Sequence, residues 1–228
     1  MKQLALDIGL APAPTLARFF AGPNEAALQH LRLAAEDGSR SPVPTYLWGP
    51  PGSGKTHLLR AVRQALREHG AAVGWLDPSV AEPPAFDERW AAIVMDDVDL
   101  YDTAQQATAF NWFVNAVSPA NGMPRWVLAA GSVPPADLPL RDDLRTRLGW
   151  GHIFQLQLLG EAERRAVLRQ EADARGVFLS DEVMDYMLHR FSRDLGHLML
   201  LLDRLDAFAL RAQRAITIPL LKAALSEE

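Results

Sequence analysis

The chain lacks cysteine, a strong excess of charge of one sign and any long apolar run. Because none of its 228 residues is cysteine, disulfides and thiolate metal sites are excluded. The six histidines include no HxxxH pair or similar ligand spacing, so no structural zinc is expected. The net charge of −5 leaves neither half of the chain with the basic excess of a dedicated DNA-binding domain.

No apolar stretch approaches the roughly 20 residues that a membrane-spanning helix needs. The opening residues, MKQLALDIGL, place Asp7 inside a short apolar alternation, which argues against a signal peptide. The 49% hydrophobic content still allows the chain to bury a substantial core. We therefore expect a globular protein of the reducing cytoplasm, without a membrane segment.

Apolar runs of strand length alternate with amphipathic runs of helix length over the first two thirds of the chain. Strands are predicted at 45–49, 72–77, 91–97, 125–131 and 152–157, and helices at 24–38 with Asn24 as cap, at 55–70 and from Thr103 onward. This alternation is typical of a parallel sheet covered by helices, an αβα sandwich of the α/β class. The proline-containing segment 78–90 is expected to be an irregular connection.

The pattern changes after Gln157, where no further strand is predicted. Helices are predicted at 161–176, 180–191, 193–214 and 218–228. The best domain boundary therefore lies near residue 158. We expect a short N-terminal segment over 1–10, an αβα domain over 11–158 and a small all-helical domain over 159–228.

The most specific motif is GPPGSGKT, residues 49–56, between a predicted strand and a predicted helix. Glycines let the backbone curl so that successive N–H groups face a phosphate, Lys55 neutralises the outer phosphates, and the Thr56 hydroxyl can ligate Mg²⁺. The motif therefore predicts a P-loop that binds a nucleotide. The predicted nucleotide-binding residues are Gly49, Pro50, Pro51, Gly52, Ser53, Gly54, Lys55, Thr56 and His57.

Two carboxylates end the apolar strand that follows, in the sequence AAIVMDD. Asp96 is the candidate ligand for Mg²⁺ together with Thr56, and Asp97 is the candidate to orient or deprotonate a water. Asp97 is one methylene shorter than the glutamate that fast P-loop ATPases often use there. Slow hydrolysis is therefore expected.

Three later stretches resemble, in order, the sensor, arginine-finger and lid segments of the AAA+ ATPases related to the bacterial initiator DnaA. They are WVLAAGSVPPADLP, DDLRTRLGWGHIFQLQLL and SRDLGHLMLLLDRLDAFALRAQRAITIPLLKAAL. With FFAGPN near the start, the resemblance is closest to the Hda family of DnaA inactivators and spans nearly the whole chain. It implies an AAA+ P-loop module with a helical lid that holds ADP or ATP with Mg²⁺.

The resemblance also assigns three catalytic positions. Ser132 takes the first-sensor place, Arg147 the place of an arginine finger that acts in trans, and Arg193 the second-sensor place on the lid. Ser132 stands where an acidic or amide residue is expected, which departs from the family pattern. Arg145 is the local alternative to Arg147 as the finger.

The N-terminal stretch QLALDI resembles the short motif by which bacterial proteins dock on the DNA polymerase sliding clamp. Such peptides bind as an extended chain whose alternate side chains fill pockets. Gln3, Leu4, Leu6 and Ile8 supply those side chains, although Asp7 and Ile8 depart from the ideal ending. The alternative is a first strand that belongs to the protein's own sheet.

The resemblance implies a regulator that binds the clamp on DNA and stimulates hydrolysis of ATP held by DnaA, so that initiation is reset. Its own turnover is expected to be weak or absent, a homodimer stays open, and contact with DNA is expected to be mainly indirect, through the clamp. A self-sufficient AAA+ ATPase or DNA-loading factor acting as a homo-oligomer is the first alternative. A P-loop small-molecule kinase is the second, although the helical lid offers no obvious acceptor site.

Overall fold

A computed structural model describes residues 14–36, 43–119, 122–190, 195–212 and 216–226 of the chain. The predicted clamp-binding residues Gln3, Leu4, Leu6 and Ile8, and the predicted second-sensor residue Arg193, lie outside these ranges. The described residues fall into two compact units that separate between Leu158 and Leu159.

The first unit is built on a five-stranded sheet in which every strand pair is parallel. Its strands are β1 (Thr45–Trp48), β2 (Ala72–Leu76), β3 (Trp90–Met95), β4 (Trp126–Gly131) and β5 (His152–Gln155), in the order β2-β3-β4-β1-β5. The helices are α1 (Glu25–Glu36), α2 (Lys55–Glu68), α3 (Thr103–Val117) and α4 (Asp142–Leu148). The predicted α/β class and parallel sheet are confirmed.

Apolar strands with both faces buried account for the two cores of this unit. Alternate residues of β4 point to opposite faces, so that Leu128 packs with α1 and α2 whereas Val127 packs with α3 and α4. The same division holds in β3, where Val94 and Ile93 join the two different clusters. Near-continuous apolar strands of this kind require helices on both faces of the sheet.

The connection between β2 and β3 contains no helix or strand among its described residues, as predicted for 78–90. Backbone carbonyls of this connection, and that of the first residue of β3, nevertheless accept hydrogen bonds from buried side chains elsewhere in the unit. The Arg125 guanidinium donates to the carbonyls of Glu88 and Trp90, and the Gln105 amide donates to those of Pro78 and Val80. These bonds satisfy polar groups that an irregular segment cannot pair internally.

The second unit is helical over its described residues. It comprises α5 (Glu161–Ala174), α6 (Asp181–Arg190), α7 (Leu195–Ala212) and α8 (Ile218–Ser226) around a separate apolar core. Leu168, Met184 and Leu202, from three different helices, are each fully buried there. No helix in the described part of the chain is both long and apolar enough to cross a membrane.

Two local predictions were wrong. Asn24 is buried beneath the end of the sheet, where its side-chain amide exchanges two hydrogen bonds with the backbone of Gln157 instead of capping α1. The stretch around Arg145 and Arg147, for which no helix was predicted, forms α4 and places both arginines in its last turn. Basic residues at that end favour a helix because they complement its dipole.

Candidate nucleotide-binding site

The phosphate loop follows β1 and can be built only with glycine at two of its positions. A Cβ at Gly49 would lie 2.2 Å from the carbonyl oxygen of Leu156. Gly54 has a φ of 95°, and a Cβ there would lie 2.7 Å from the ring of Phe19. The loop backbone therefore curls tightly before Lys55 begins α2. This is the strand-loop-helix geometry in which backbone N–H groups can surround a phosphate.

The polar side chains of the loop fit an anion. Lys55 is buried, and its Nζ donates to the carbonyl oxygens of Gly49 and Pro50 at 2.7 and 3.1 Å. The buried Ser53 hydroxyl has no hydrogen-bond partner among the described residues. Burial lowers the pKa of Lys55, while the nearby carboxylates oppose that shift. A phosphate in the loop would give both side chains a strong partner.

Asp96 and Thr56 meet beside the loop because β3 and β1 end at the same edge of the parallel sheet. The Asp96 carboxylate accepts hydrogen bonds from the Thr56 hydroxyl and from the backbone N–H of Asp97. Burial raises the pKa of Asp96 to about 6, although the bond from Thr56 opposes the shift. A buried carboxylate next to a hydroxyl, with phosphate oxygens completing the ligand set, suits Mg²⁺.

Asp97 adopts a backbone conformation that is unfavourable for its residue type. Its φ and ψ are both 47°, in the left-handed region that L-residues other than glycine and asparagine seldom occupy. Its side chain is half-buried, and burial raises its pKa while the charge of Lys55 opposes the shift. The charge of Lys55 acts on the Asp97 carboxyl, so the turn at the end of β3 places the two groups near each other.

Asp99, to which the sequence pattern assigned no role, accepts two hydrogen bonds from the predicted sensor residue Ser132. The Ser132 backbone N–H donates to Asp99 Oδ1 at 3.0 Å, and its hydroxyl donates to Oδ2 at 2.6 Å. A Cβ at the preceding Gly131 would lie 2.9 Å from Asp99 Oδ1, so glycine leaves room for this pairing. Because the hydroxyl proton is committed, the Ser132 oxygen can act towards a ligand only as an acceptor, for example from a water.

Phe19 is a second residue that the sequence analysis did not assign to the site. Its ring packs on Gly54, and its centroid lies 5.6 Å from that of the His57 ring. His57 is therefore partly covered by an aromatic residue rather than fully exposed on the helix surface. Neither contact could be read from the motif, because Phe19 is 35 residues away from Gly54 in the sequence.

The arginines of α4 have different partners. Arg141 and Arg145 form ion pairs with Asp143 and Asp142, at 2.6 and 2.7 Å. Arg147 instead donates to the backbone carbonyl of Asp143 at 3.1 Å, and its guanidinium carbon lies 5.0 Å from the ring centroid of Phe110. Within the described part of the chain, Arg147 makes no ion pair with a carboxylate. The hydrogen bond from Arg141 lowers the pKa of the Asp143 carboxyl, and the nearby charge of Arg147 adds to that shift.

The predicted site residues thus form two separate groups. The phosphate loop, Asp96, Asp97 and Ser132 all lie at the ends of β1, β3 and β4, which are neighbours in the sheet. Arg147 lies on α4, and its contacts are with α3 and its own helix. Its position is consistent with action on a nucleotide other than the one bound by its own loop.

Replacing Asp96 by asparagine is expected to remove a pH dependence of stability in the Mg²⁺-free protein. The folded-state pKa of about 6 lies above the usual value for aspartate, so the folded state keeps a proton that the unfolded state loses. Stability should therefore fall as the pH rises from about 4 to about 7, by up to about 3 kcal/mol. Urea unfolding measures this loss in wild type and its absence in Asp96→Asn. A surface variant, Asp173→Asn, is the control, and equal pH profiles for wild type and Asp96→Asn would contradict the assignment.

Comparison with known proteins identifies relatives of both units. Residues 161–225 match the family model of the Hda lid domain. Domain III of the replication initiation protein DnaA from Thermotoga maritima is similar in structure, with a TM-score of 0.76 at 19% identity, covering 99% of this chain and 98% of that one. DnaA from Aquifex aeolicus bound to AMPPCP has a TM-score of 0.69 at 20% identity, with 89% and 68% covered.

The Thermotoga maritima RuvB Holliday junction branch migration motor is also similar, with a TM-score of 0.63 at 16% identity, covering 89% of this chain and 68% of that one. At such identities the structural likeness establishes the fold, which is that of an AAA+ module. The match over 161–225 places the helical unit in the Hda lid family. The chain therefore combines the fold of DnaA domain III with a helical unit that is similar to the Hda lid domain.

Proposed function

We propose that this protein is a regulator of replication initiation that acts on DnaA. It binds ADP or ATP with Mg²⁺, docks on the DNA polymerase sliding clamp through residues 3–8, and presents Arg147 to ATP held by DnaA. The observation that carries the proposal is the state of Arg147, whose guanidinium is fixed by Phe110 but has no carboxylate partner among the described residues. Arg145, the alternative finger, is already paired with Asp142.

The geometry of the phosphate loop supports binding of a nucleotide by this protein itself. Lys55 and Ser53 would hold the phosphates, and Thr56 and Asp96 would hold Mg²⁺, which supplies charge neutralisation at the phosphates when bound. An adenine nucleotide is supported by the related DnaA structures bound to AMPPCP. Binding of this nucleotide does not require Arg147, because that side chain contacts α3 and α4.

Weak hydrolysis by the protein alone follows from two features of the loop's surroundings. The short side chain of Asp97 reaches towards Lys55 from a constrained turn, and Lys55 attracts its charge. The Ser132 hydroxyl donates to Asp99 and therefore has no proton to donate to a terminal phosphate. Both residues can still orient water, but neither stabilises charge that develops on the phosphate.

Arg147 supplies that stabilisation to a partner's nucleotide. A positive guanidinium placed against the transferred phosphoryl group offsets the charge that develops there, and such trans-acting arginines contribute roughly 10³ to 10⁵ in rate. Arg147 is suited to the role because, within the part of the chain that the structure describes, it forms no ion pair that would have to be broken first. Little interaction energy within the protein is therefore lost when the Arg147 guanidinium contacts a partner's nucleotide.

The test is single-turnover hydrolysis of labelled ATP bound to DnaA, with the clamp loaded on DNA and this protein added. Stimulation that depends on both the clamp and this protein is expected. A self-sufficient homo-oligomeric ATPase predicts instead a strong turnover by the protein alone that DnaA does not change. Absence of any stimulation of DnaA would overturn the regulatory proposal.

Clamp docking through the N-terminal segment is tested by the double variant Leu4→Ala/Leu6→Ala. Each leucine buried in a pocket contributes roughly 1.5–3 kcal/mol, so losing both should abolish a micromolar contact. Surface plasmon resonance on immobilised clamp measures binding, and calorimetry with ADP checks that the nucleotide site is unaffected. A large drop in melting temperature would favour the alternative, in which the segment is a strand of the protein's own sheet.

A further inference from the structure

Three arginines form a basic row along α2. Arg60, Arg63 and Arg67 are spaced three and four residues apart, so they are neighbours on one face of the helix. Arg60 and Arg67 are exposed and Arg63 is half-buried. Burial lowers the pKa of Arg63, and the like charges of Arg67 and Arg60 lower it further, whereas Asp77 opposes the shift. We call these three residues the α2 stripe.

Carboxylates close to the α2 stripe offset its charge only in part. Within the described part of the chain, none of the three guanidinium groups forms an ion pair. Although burial raises the pKa of Asp77, hydrogen bonds from Ser79 and Trp75 lower it below its usual value, and the charge of Arg60 adds to them. Asp77 is thus bonded to uncharged donors of its own segment. One such carboxylate cannot balance three guanidinium groups.

The Arg63 side chain is held by an aromatic ring. Its guanidinium carbon lies 4.3 Å from the centroid of the Trp75 ring, which belongs to β2 at the edge of the sheet. Stacking on a ring fixes the planar group without using its N–H donors. Those donors can therefore bind phosphate oxygens in pairs, which is the contact to which a guanidinium group is best suited.

The form of the α2 stripe fits the phosphate backbone of duplex DNA. Arginines in a row along one helix are the electrostatic signature of nucleic-acid contact. At 1.5 Å per residue the row is about 10 Å long, and a duplex carries one phosphate charge per roughly 1.7 Å of its axis, so the row faces several phosphates at once. The net charge of −5 argues against a dedicated DNA-binding domain but not against a local contact of this size.

A membrane surface fits the α2 stripe less well. Helices that bind anionic lipids insert apolar side chains into the bilayer beside their basic residues. The apolar side chains of α2, among them Leu58, Val62 and Leu66, are instead fully buried in the core of the first unit. The surface of α2 therefore offers cations without the apolar contact that holds a helix in a bilayer.

We propose that the α2 stripe binds the phosphate backbone of duplex DNA directly and without sequence preference. This contact goes beyond the function proposed above, in which the clamp carries the association with DNA, and it does not depend on an action on DnaA. On a clamp that encircles DNA, a weak contact of this kind would add to clamp binding by raising the effective concentration.

The experiment measures fluorescence anisotropy of a labelled duplex at several salt concentrations, with the full chain and without clamp or DnaA. Wild type is expected to bind with a Kd of roughly 10⁻⁴ to 10⁻⁶ M at physiological salt, and with a log–log salt slope of about −2.7 for three phosphates. Arg63→Gln/Arg67→Gln should make the slope shallower by about 1.8 and weaken binding at least about tenfold. Arg60 is left in place because its charge also acts on Asp96.

The matched control is Arg169→Gln/Arg190→Gln, which removes the same charge from exposed positions of the helical unit. It should leave the salt slope unchanged. The single variant Arg67→Gln keeps the contact between Arg63 and Trp75, and should make the slope shallower by about 0.9. Calorimetry with ADP and thermal unfolding should give wild-type values for all three variants.

Three outcomes would overturn the inference. The first is a wild-type chain that does not bind the duplex even at low salt. The second is a salt slope that stays unchanged in both α2 variants, or that changes equally in the control. The third is retained duplex binding combined with lost binding to phosphatidylserine vesicles, which would assign the α2 stripe to a membrane. Because DnaA is absent from the assay, none of these outcomes decides the proposed function.

Discussion

Alanine in place of Arg147 is expected to abolish stimulation of ATP hydrolysis on DnaA, with a loss of roughly 10³-fold or more in the stimulated rate. Arg145 on the same helix forms an ion pair with Asp142, whereas the Arg147 guanidinium donates to a backbone carbonyl and lies over the ring of Phe110. Removing it leaves the charge on the transferred phosphoryl group without its partner from the neighbouring subunit. Single-turnover hydrolysis of labelled ATP on DnaA measures the effect.

The matched control is Arg145→Ala on the same helix turn. Arg145 is bound to Asp142, so its loss should change the stimulated rate by much less than the loss of Arg147. Both variants should fold and bind ADP, because neither side chain contacts the phosphate loop. Full stimulation by Arg147→Ala combined with its loss in Arg145→Ala would reverse the assignment and make Arg145 the finger.

The second large effect is expected at the phosphate loop, where Lys55→Ala should weaken ADP binding by one to two orders of magnitude, about 1.4–2.7 kcal/mol. Lys55 is the positive side chain that lies within the loop, and its Nζ already occupies a buried position against two loop carbonyls. A bound phosphate would replace those neutral acceptors with charged ones, which form stronger hydrogen bonds. Isothermal titration calorimetry with ADP and Mg²⁺ measures the change.

Lys222→Ala is the control for the loss of one positive charge. Lys222 lies on α8 in the helical unit, where its ammonium is 5.6 Å from the ring centroid of Tyr186. Its replacement should leave ADP affinity within about twofold of wild type, since Lys222 is exposed and is not part of the phosphate loop. Equal ADP affinity in Lys55→Ala and wild type would contradict the assignment of the loop as a phosphate site.

The elements that the sequence predicted well are those set by local patterns. The five strands were placed within one or two residues of their ends, because each is a short, nearly continuous apolar run between polar turns. The phosphate loop and α2 follow from glycine positions and helix-forming residues that are adjacent in the chain. The short helix α4 was missed, since its seven residues carry four charges and leave little apolar periodicity to detect.

The partners of side chains could not be read from the chain in the same way. Asp99 and Ser132 are 33 positions apart and meet only because β3 and β4 are neighbours in the sheet. The sequence marked Ser132 as an unusual sensor, but the direction of its hydroxyl depends on this contact. The contact between the Phe19 ring and Gly54 could not be predicted from the sequence either, because the two residues are far apart in the chain.

The choice between Arg145 and Arg147 shows which features the sequence determines and which depend on the tertiary structure. Composition, periodicity and motif were sufficient to predict the fold class and the phosphate loop, because each depends on residues close together in the chain. The two candidate arginines came from the family resemblance. Which arginine forms an ion pair depends on where Asp142, Asp143 and the ring of Phe110 lie in space. Ion pairing and burial depend on neighbours in three dimensions, so the packing of α3 against α4, and no pattern in the sequence, favours Arg147 as the finger.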